Sequence, residues 1–200
     1  METAVKRILS FATAVGKLKR QVRTGWALRG VNRPESVAEH SFRMAAITLA
    51  LGDSVQVDRD RVMRIALVHD LAEAVVGDIP PESISGVSKA EKQQIELNAM
   101  RDLCLETFGC ADMACEVFSL WREYEESLTP EAQLVKDFDK IEMILQASEY
   151  EVEENQPDDL DLADFYHSVS GRMQTPLGKA LLAELVDRRD ARNSSESNQD

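Results

Sequence analysis

Apolar residues recur along this chain at steps of three and four, and no stretch alternates convincingly with period two. Val5, Ile8, Leu9, Ala12 and Val15 follow the helical step and predict an amphipathic first helix. A loop is expected from about Thr24 to Pro34, carrying Gly25, Gly30 and Pro34. Ser36 and Glu39 form an S-x-x-E capping box, opening a helix that Gly52 closes. Asp58 caps the next helix, which runs through Met63, Ile65, Leu67 and Val68 and stops near Gly77. The stretch Gly77-Asp78-Ile79-Pro80-Pro81 does not continue it, because two prolines lack the N–H donor. Ser88 with Glu91 repeats the capping box for a helix ending at Gly109, and another helix is expected over residues 111–127. Thr129-Pro130-Glu131 places a capping hydroxyl, a proline at the first helical position and an acid in the first turn of a long helix reaching about Glu154. Thr175-Pro176 repeats the device for a final helix. Val55-Gln56-Val57 is too short for a strand. The expectation is all-α: one domain over residues 1–188 without internal repeats, then a polar tail over 189–200 whose composition predicts disorder.

Composition narrows the class. With 44% apolar and 30% charged residues in a chain of 200, a proper core and a heavily charged surface are both within reach. No apolar run approaches the roughly 18 residues of a membrane span. The charged start METAVKRILS leads into no signal-peptide apolar region. Three cysteines without paired spacing read as free thiols in a reducing compartment, so an intracellular, cytoplasmic protein is expected. The net charge of −13 argues against a nucleic-acid polymer as partner. It hides an asymmetry: residues 3–34 carry Lys6, Arg7, Lys17, Lys19, Arg20, Arg23, Arg29 and Arg33 and no Asp or Glu. Such a segment on an acidic body lines a pocket for a small anion, or is simply a solvated basic face.

The strongest chemical signal is Leu67-Val68-His69-Asp70-Leu71-Ala72-Glu73. An imidazole and a carboxylate lie side by side near the end of an apolar helix, and burying them uncompensated costs several kcal/mol. On a helix Glu73 lies four residues after His69 and three after Asp70, so the three converge on one point. Asp78, just past Gly77, is placed to turn its carboxylate back to the same point. His, Asp and Glu together form a donor set for a divalent cation; the plainer alternative is a helix-end His paired with Asp. Further donors lie elsewhere. His40 follows Glu39 among apolar neighbours, where a satisfied core histidine is the plain alternative. Asp137 and Asp139 flank the apolar positions 134, 138, 141 and 145 and point about 200° apart, so one of them at most faces a given site. Periodicity does not say which.

At this point a resemblance becomes specific. His40, then His69-Asp70, then Asp139 is similar to the H…HD…D pattern of the HD-domain metal-dependent phosphohydrolases. The blocks Arg23-Thr24-Gly25-Trp26, Asn32 to His40, Ala66 to Asp70, Val76 to Ile79, and Leu134 through Glu151 resemble the 5′-deoxynucleotidase branch, over about residues 8–188. The resemblance implies a helical HD fold with His40, His69, Asp70 and Asp139 as metal ligands. It implies Glu73 and Asp78 as catalytic residues or ligands of a second cation, and deoxynucleoside monophosphates as small-molecule substrates of a homodimer. The cation is expected to be manganese, cobalt or magnesium, with zinc and iron also compatible with such a set. The chain departs from the bacterial branch in having Gly25 where that branch has Arg directly before the Trp.

The chemistry is coherent from the residues upward. A phosphate monoester needs charge neutralisation and an activated nucleophile. Glu73 or Asp78 orients the water or protonates the leaving 5′-oxygen. Arginine forks match phosphate oxygens, which makes Arg23 and Arg33 the candidate clamps. Trp26 either stacks on the base or sugar, or anchors its loop to the core. Competing readings are a phosphohydrolase acting on another nucleotide phosphoester, cyclic or ppGpp-type, and a non-catalytic metal-binding dimerisation module. Cys104, Cys110 and Cys115 read as buried free thiols, His167 as surface, and Met100, Met113 and Met143 as core fillers.

Overall fold

Local chemistry starts most of the helices in this chain, whose computed structural model describes residues 1–110, 115–157 and 159–196. The first helix, α1 (Glu2–Leu18), carries the expected stripe, but Leu18 is its buried residue; Val5, Ile8 and Leu9 are 50%, 67% and 62% exposed. The loop expected over residues 24–34 holds a short helix, α2 (Thr24–Leu28). The reciprocal Ser36–Glu39 capping box opens α3 (Val37–Ile47), which tightens into a 3-10 turn (Thr48–Ala50) before Gly52. Asp58 accepts a hydrogen bond from the Arg61 N–H and caps α4 (Arg59–Val68).

The single helix expected from Asp58 to Gly77 is instead two. Helix α4 stops at Val68, and α5 (Glu73–Val76) begins after a turn. Across the break Leu71 N–H bonds to the Val68 carbonyl at 3.1 Å and Glu73 N–H to the Asp70 carbonyl at 3.0 Å. That three-residue spacing winds the chain more tightly than an α-helix. Gly77 then adopts φ 78° and ψ 170°, a region essentially reserved for glycine, and releases the chain into Asp78–Pro81 ahead of α6 (Glu82–Ser85).

The second capping box, Ser88–Glu91, opens α7 (Lys89–Phe108), which ends at left-handed Gly109. Helix α8 is Glu116–Glu126; the start expected for it at 111, and Met113 with it, lie outside the described residues. Thr129 Oγ1 accepts from Ala132 N–H at 3.1 Å and starts α9 (Pro130–Tyr150), which stops short of Glu154. Two more helices follow, α10 (Ala163–Val169) and α11 (Pro176–Glu196). The tail expected to be disordered from 189 is helical through Glu196. Arg189 grips the Glu151 carboxylate at 3.0 and 2.7 Å, Arg192 adds a third bond at 2.6 Å, and the Arg189 guanidinium lies 4.4 Å from the Tyr166 ring centre.

Helix α9 runs through the centre. Leu134 and Phe138 pack with Val37, Met44, Val62 and Ile65, while Ile141 and Ile144 pack with Trp26, Leu162 and Tyr166. Each such buried side chain contributes about 1.5–3 kcal/mol. Helices α3, α4 and α9 pack against one another, and α8 covers α4 and α9. Among the described residues there is no strand, only an isolated bridge between Val22 and Ser36. The all-α expectation therefore holds. No helix among the described residues is long and apolar enough to cross a membrane.

Candidate metal centre

The packed trio α3, α4 and α9 brings two imidazoles and two carboxylates to one point. His69, at the end of α4, places Nδ1 2.8 Å from the Ala66 carbonyl, so Nδ1 carries a proton and Nε2 is left to face the centre. His40, on α3, pairs its Nδ1 with Glu142 of α9. Both Nε2 atoms are buried and have no hydrogen-bond partner. They face acids: His69 Nε2 lies 3.0 Å from Asp70 Oδ2, and His40 Nε2 lies 3.3 Å from Asp139 Oδ1 and 3.9 Å from Asp70 Oδ2. Donor atoms of His40, His69 and Asp139 all fall within 4.8 Å of one another. An unpaired buried polar atom costs about 1–3 kcal/mol, and a divalent cation held by His40, His69 and Asp139, with Asp70 beside them, would relieve both nitrogens. The residues present fit such an ion.

The electrostatics are those of an anionic cluster folded around imidazoles. Burial raises the Asp70 carboxyl, but the His69 and His40 rings outweigh it and hold Asp70 at about 2. Burial and Arg23 work against charge on His40, yet Asp139 and Glu142 raise it to about 9. Asp139 is held well below the carboxylate range, its burial overcome by His40, His69 and Arg23.

The structure separates the two aspartates that periodicity left open. Asp139 faces the imidazoles and also accepts a hydrogen bond from the Tyr124 hydroxyl at 3.0 Å. Asp137 points the other way, fully buried, and accepts from Gln174 N–H at 2.9 Å and from Thr175 N–H and Oγ1–H at 2.7 Å. It anchors the start of α11 and takes no part in the centre.

Because the chain breaks after Val68, Glu73 does not sit with His69 and Asp70 on one continuous helix as the sequence predicts. It opens α5, buried, with Oε2 lacking a partner; burial, then Asp70 and Asp78, push its carboxyl well up. Asp78 is drawn to α2: its Oδ2 accepts from Thr24 N–H at 2.6 Å, and Thr24 Oγ1 donates to the Asp78 carbonyl at 2.9 Å. Lys92 of α7 donates to the Ile79 carbonyl at 2.9 Å and stands 3.5 Å from Glu96, bringing a cation to this acidic edge.

Of the three expected substrate contacts, Arg23 is at the centre. Its guanidinium lies 3.7 Å from Asp70 and 3.8 Å from Glu35. Burial lowers its pKa, but Asp139, Asp70 and Glu35 outweigh that and keep it cationic. Trp26 is 1% exposed, so its indole does not present a face to a base. It is the loop anchor, set 4.4 Å from Phe165 and edge-on to Tyr150, with Nε1–H donated to Glu35 at 2.9 Å. Trp26 therefore acts on the centre only from behind, through Glu35 beside Arg23. Arg33 is exposed at φ 52° and, among the described residues, pairs with no carboxylate.

Four participants escaped the sequence reading. Glu142 and Arg43 lie behind His40, with Arg43 Nε donating to Glu142 Oε1 at 2.7 Å. Tyr124 stacks edge-on to His69 at 5.0 Å while binding Asp139, and Glu35 receives Trp26. A signal existed for two of them: Arg43 follows His40, and Glu142 follows Asp139, by three residues on a helix, which places each on its neighbour's face. Glu35, His40 and Glu142 also cluster within 4.8 Å, but Trp26 and Arg43 occupy those carboxylates, so that group is a hydrogen-bond network. None of the cysteines forms a disulfide among the described residues, Cys104 and Cys115 being buried and Cys110 half-buried, and His167 is on the surface.

Comparison with known proteins supplies the context. The HD domain family model matches residues 15–180. A Bos taurus protein named 5′-deoxynucleotidase HDDC2 is 44% identical over 186 residues, covering 93% of this chain and 87% of the relative. The Danio rerio protein of the same name is 44% identical over 184 residues, covering 91% and 88%. Among solved structures, a conserved hypothetical protein from Pyrococcus furiosus superposes with a TM-score of 0.71 at 34% identity, covering 91% of this chain and 99% of that one.

Proposed function

The chain belongs to the HD domain family, and from that premise we propose that it is a metal-dependent 5′-deoxynucleotidase that hydrolyses deoxyribonucleoside 5′-monophosphates to deoxynucleoside and phosphate. The observation that carries the reading is the pair of buried, unpartnered Nε2 atoms of His40 and His69 aimed at Asp70 and Asp139. These four side chains would hold a divalent cation, and manganese, cobalt or magnesium suits a mixed imidazole and carboxylate set, with zinc and iron compatible. When bound, it supplies positive charge to a phosphoryl oxygen and a lowered pKa for water.

The chain's own residues do the rest. Arg23, charged and lying between Asp70 and Glu35, offers its donors to the phosphate. Glu73 brings an unpartnered carboxyl oxygen to the edge of the centre, able to orient water or to protonate the leaving 5′-oxygen. Asp78 serves the same edge while its contacts to Thr24 fix the loop that carries Arg23. Glu73 and Asp78 together would also hold a second cation. Arg33 reaches the substrate only as a rim residue, given its exposure. The exposed Val5, Ile8 and Leu9 on one face of α1 support a homodimer with a second copy covering that stripe. Cysteines that form no disulfide among the described residues support an intracellular setting.

The test is phosphate release from paired dAMP and AMP by wild type, Glu73→Ala and Asp78→Ala, each reloaded with manganese or cobalt after stripping. Release from dAMP with little from AMP, lost in both variants at full metal occupancy, is the expected result. Turnover of cyclic nucleotides or ppGpp in place of dAMP moves the enzyme to another substrate class. Metal-loaded protein inert to every phosphoester makes it a scaffold.

A further inference from the structure

We infer that Glu142, held by Arg43, is a positioning residue that keeps the His40 proton on Nδ1 and so leaves Nε2 to face the cation with its lone pair. The inference rests on the cation reading of His40, His69, Asp70 and Asp139. Glu142 is completely buried on α9, one turn beyond Asp139, so one helix carries both a candidate ligand and the brace of another. Its Oε2 meets His40 Nδ1, and its Oε1 accepts from Arg43 Nε at 2.7 Å. The guanidinium cannot swing away, because Nη1 binds Glu149 at 2.6 Å and Nη2 binds Gln146 at 2.7 Å.

A buried carboxylate is an expensive way to fill space, since its lost hydration must be repaid by its partners. What it supplies is chemical obligation. An ionised carboxylate only accepts hydrogen bonds, so the imidazole nitrogen facing it must carry a proton, and the nitrogen left to give a lone pair to a cation is Nε2. At His69 the same duty falls to the Ala66 carbonyl, which also only accepts. The two ligands are thus oriented by two devices, and the one at His40 is a side chain open to substitution.

Glu142→Gln makes the decisive variant because Arg43 dictates which way the amide turns. Arg43 Nε–H requires the amide oxygen on its side, so the amide N–H faces His40 Nδ1. Nδ1 must then accept, and the proton moves to Nε2, where it points at the cation. Cobalt affinity, measured by titration against a competing chelator, should fall about 10- to 100-fold. Adding Arg43→Met frees the amide to flip, and affinity should recover in part. A purely structural role predicts the opposite, with the double variant weaker than the single one. Unchanged affinity in Glu142→Gln, or no recovery in the double variant, overturns the inference. Should the variants not fold, long-range nitrogen–proton NMR on zinc-loaded wild type decides it: a proton on His40 Nδ1 supports the inference, and one on Nε2 overturns it. Wild type that takes up neither cobalt nor zinc removes the cation reading and this inference together, whereas normal wild-type uptake with an indifferent Glu142→Gln removes this inference alone.

Discussion

Replacing Asp137 with alanine removes the acceptor at the start of α11 and leaves the four candidate ligands in place. Three donors lose their partner: Gln174 N–H at 2.9 Å, and Thr175 N–H and Oγ1–H at 2.7 Å. An unsatisfied buried donor costs about 1–3 kcal/mol, more where the lost acceptor was charged. Gln174 is exposed, so water takes up its N–H, while Thr175 is half-buried and its N–H is satisfied less well. Thr175 Oγ1 keeps its own capping bond from Gly178 N–H at 2.9 Å, which limits unwinding of α11. The sum is about 3 kcal/mol, a fall in Tm of roughly 6–12 °C for a chain of this size. Asp139→Ala is the control two residues away: it should bind no metal, yet leave the contacts of Asp137 at the start of α11 intact. Thermal melts with and without chelator, beside metal analysis of the same samples, read both effects. Asp137→Ala melting within about 2 °C of wild type would refute the anchoring role. Metal lost from Asp137→Ala but kept by Asp139→Ala would invert the assignment.

Gly178→Ala, ordinarily a gain of about 1 kcal/mol in a helix, should here destabilise by about 1–3 kcal/mol in a urea melt, because the added Cβ would lie 2.6 Å from Asp137 Cγ. Burial, opposed by Lys92 and helped by Glu125 and Asp70, pushes the Glu96 carboxyl up to about 7. A folded value above the unfolded one means the folded chain binds the proton more tightly, so Glu96 costs the wild type stability as pH rises from about 4.5 through about 7. Glu96→Gln should therefore gain about 3 kcal/mol over wild type at pH above about 8 and almost nothing below about 4.5; an equal gain at both ends contradicts the burial argument. Manganese at about 100 times its dissociation constant should stabilise the metal-free protein by about 2.7 kcal/mol, roughly 5–11 °C in Tm, with chelator reversing the shift.

What could be read from the sequence was local. Ser36, Asp58, Ser88 and Thr129 cap helices through bonds to residues three positions away, and all four act as the sequence predicts. His69-Asp70 announced itself because an imidazole and a carboxylate are costly at an apolar helix end. What could not be read depends on distant partners. Nothing in the polar composition after Arg188 reveals that Arg189 and Arg192 find Glu151 across α9, which keeps α11 helical. The tight turn between Val68 and Glu73 holds neither glycine nor proline and breaks no sequence rule. Trp26 reads equally as a substrate platform or a core anchor until Glu35, Tyr150 and Phe165 close around it. Asp137 and Asp139 were equivalent by period, and Thr175 made the difference.

The central claim is that His40, His69, Asp70 and Asp139 hold a cation on which deoxynucleotide hydrolysis depends. It is tested most directly by stripping the protein of metal, titrating manganese back, and following phosphate release from dAMP alongside bound metal in the same samples. Release absent from the stripped protein and rising in step with metal uptake, in wild type but not in Asp139→Ala, is the predicted result. Release that persists in chelator, or full metal occupancy with no release, would contradict the account.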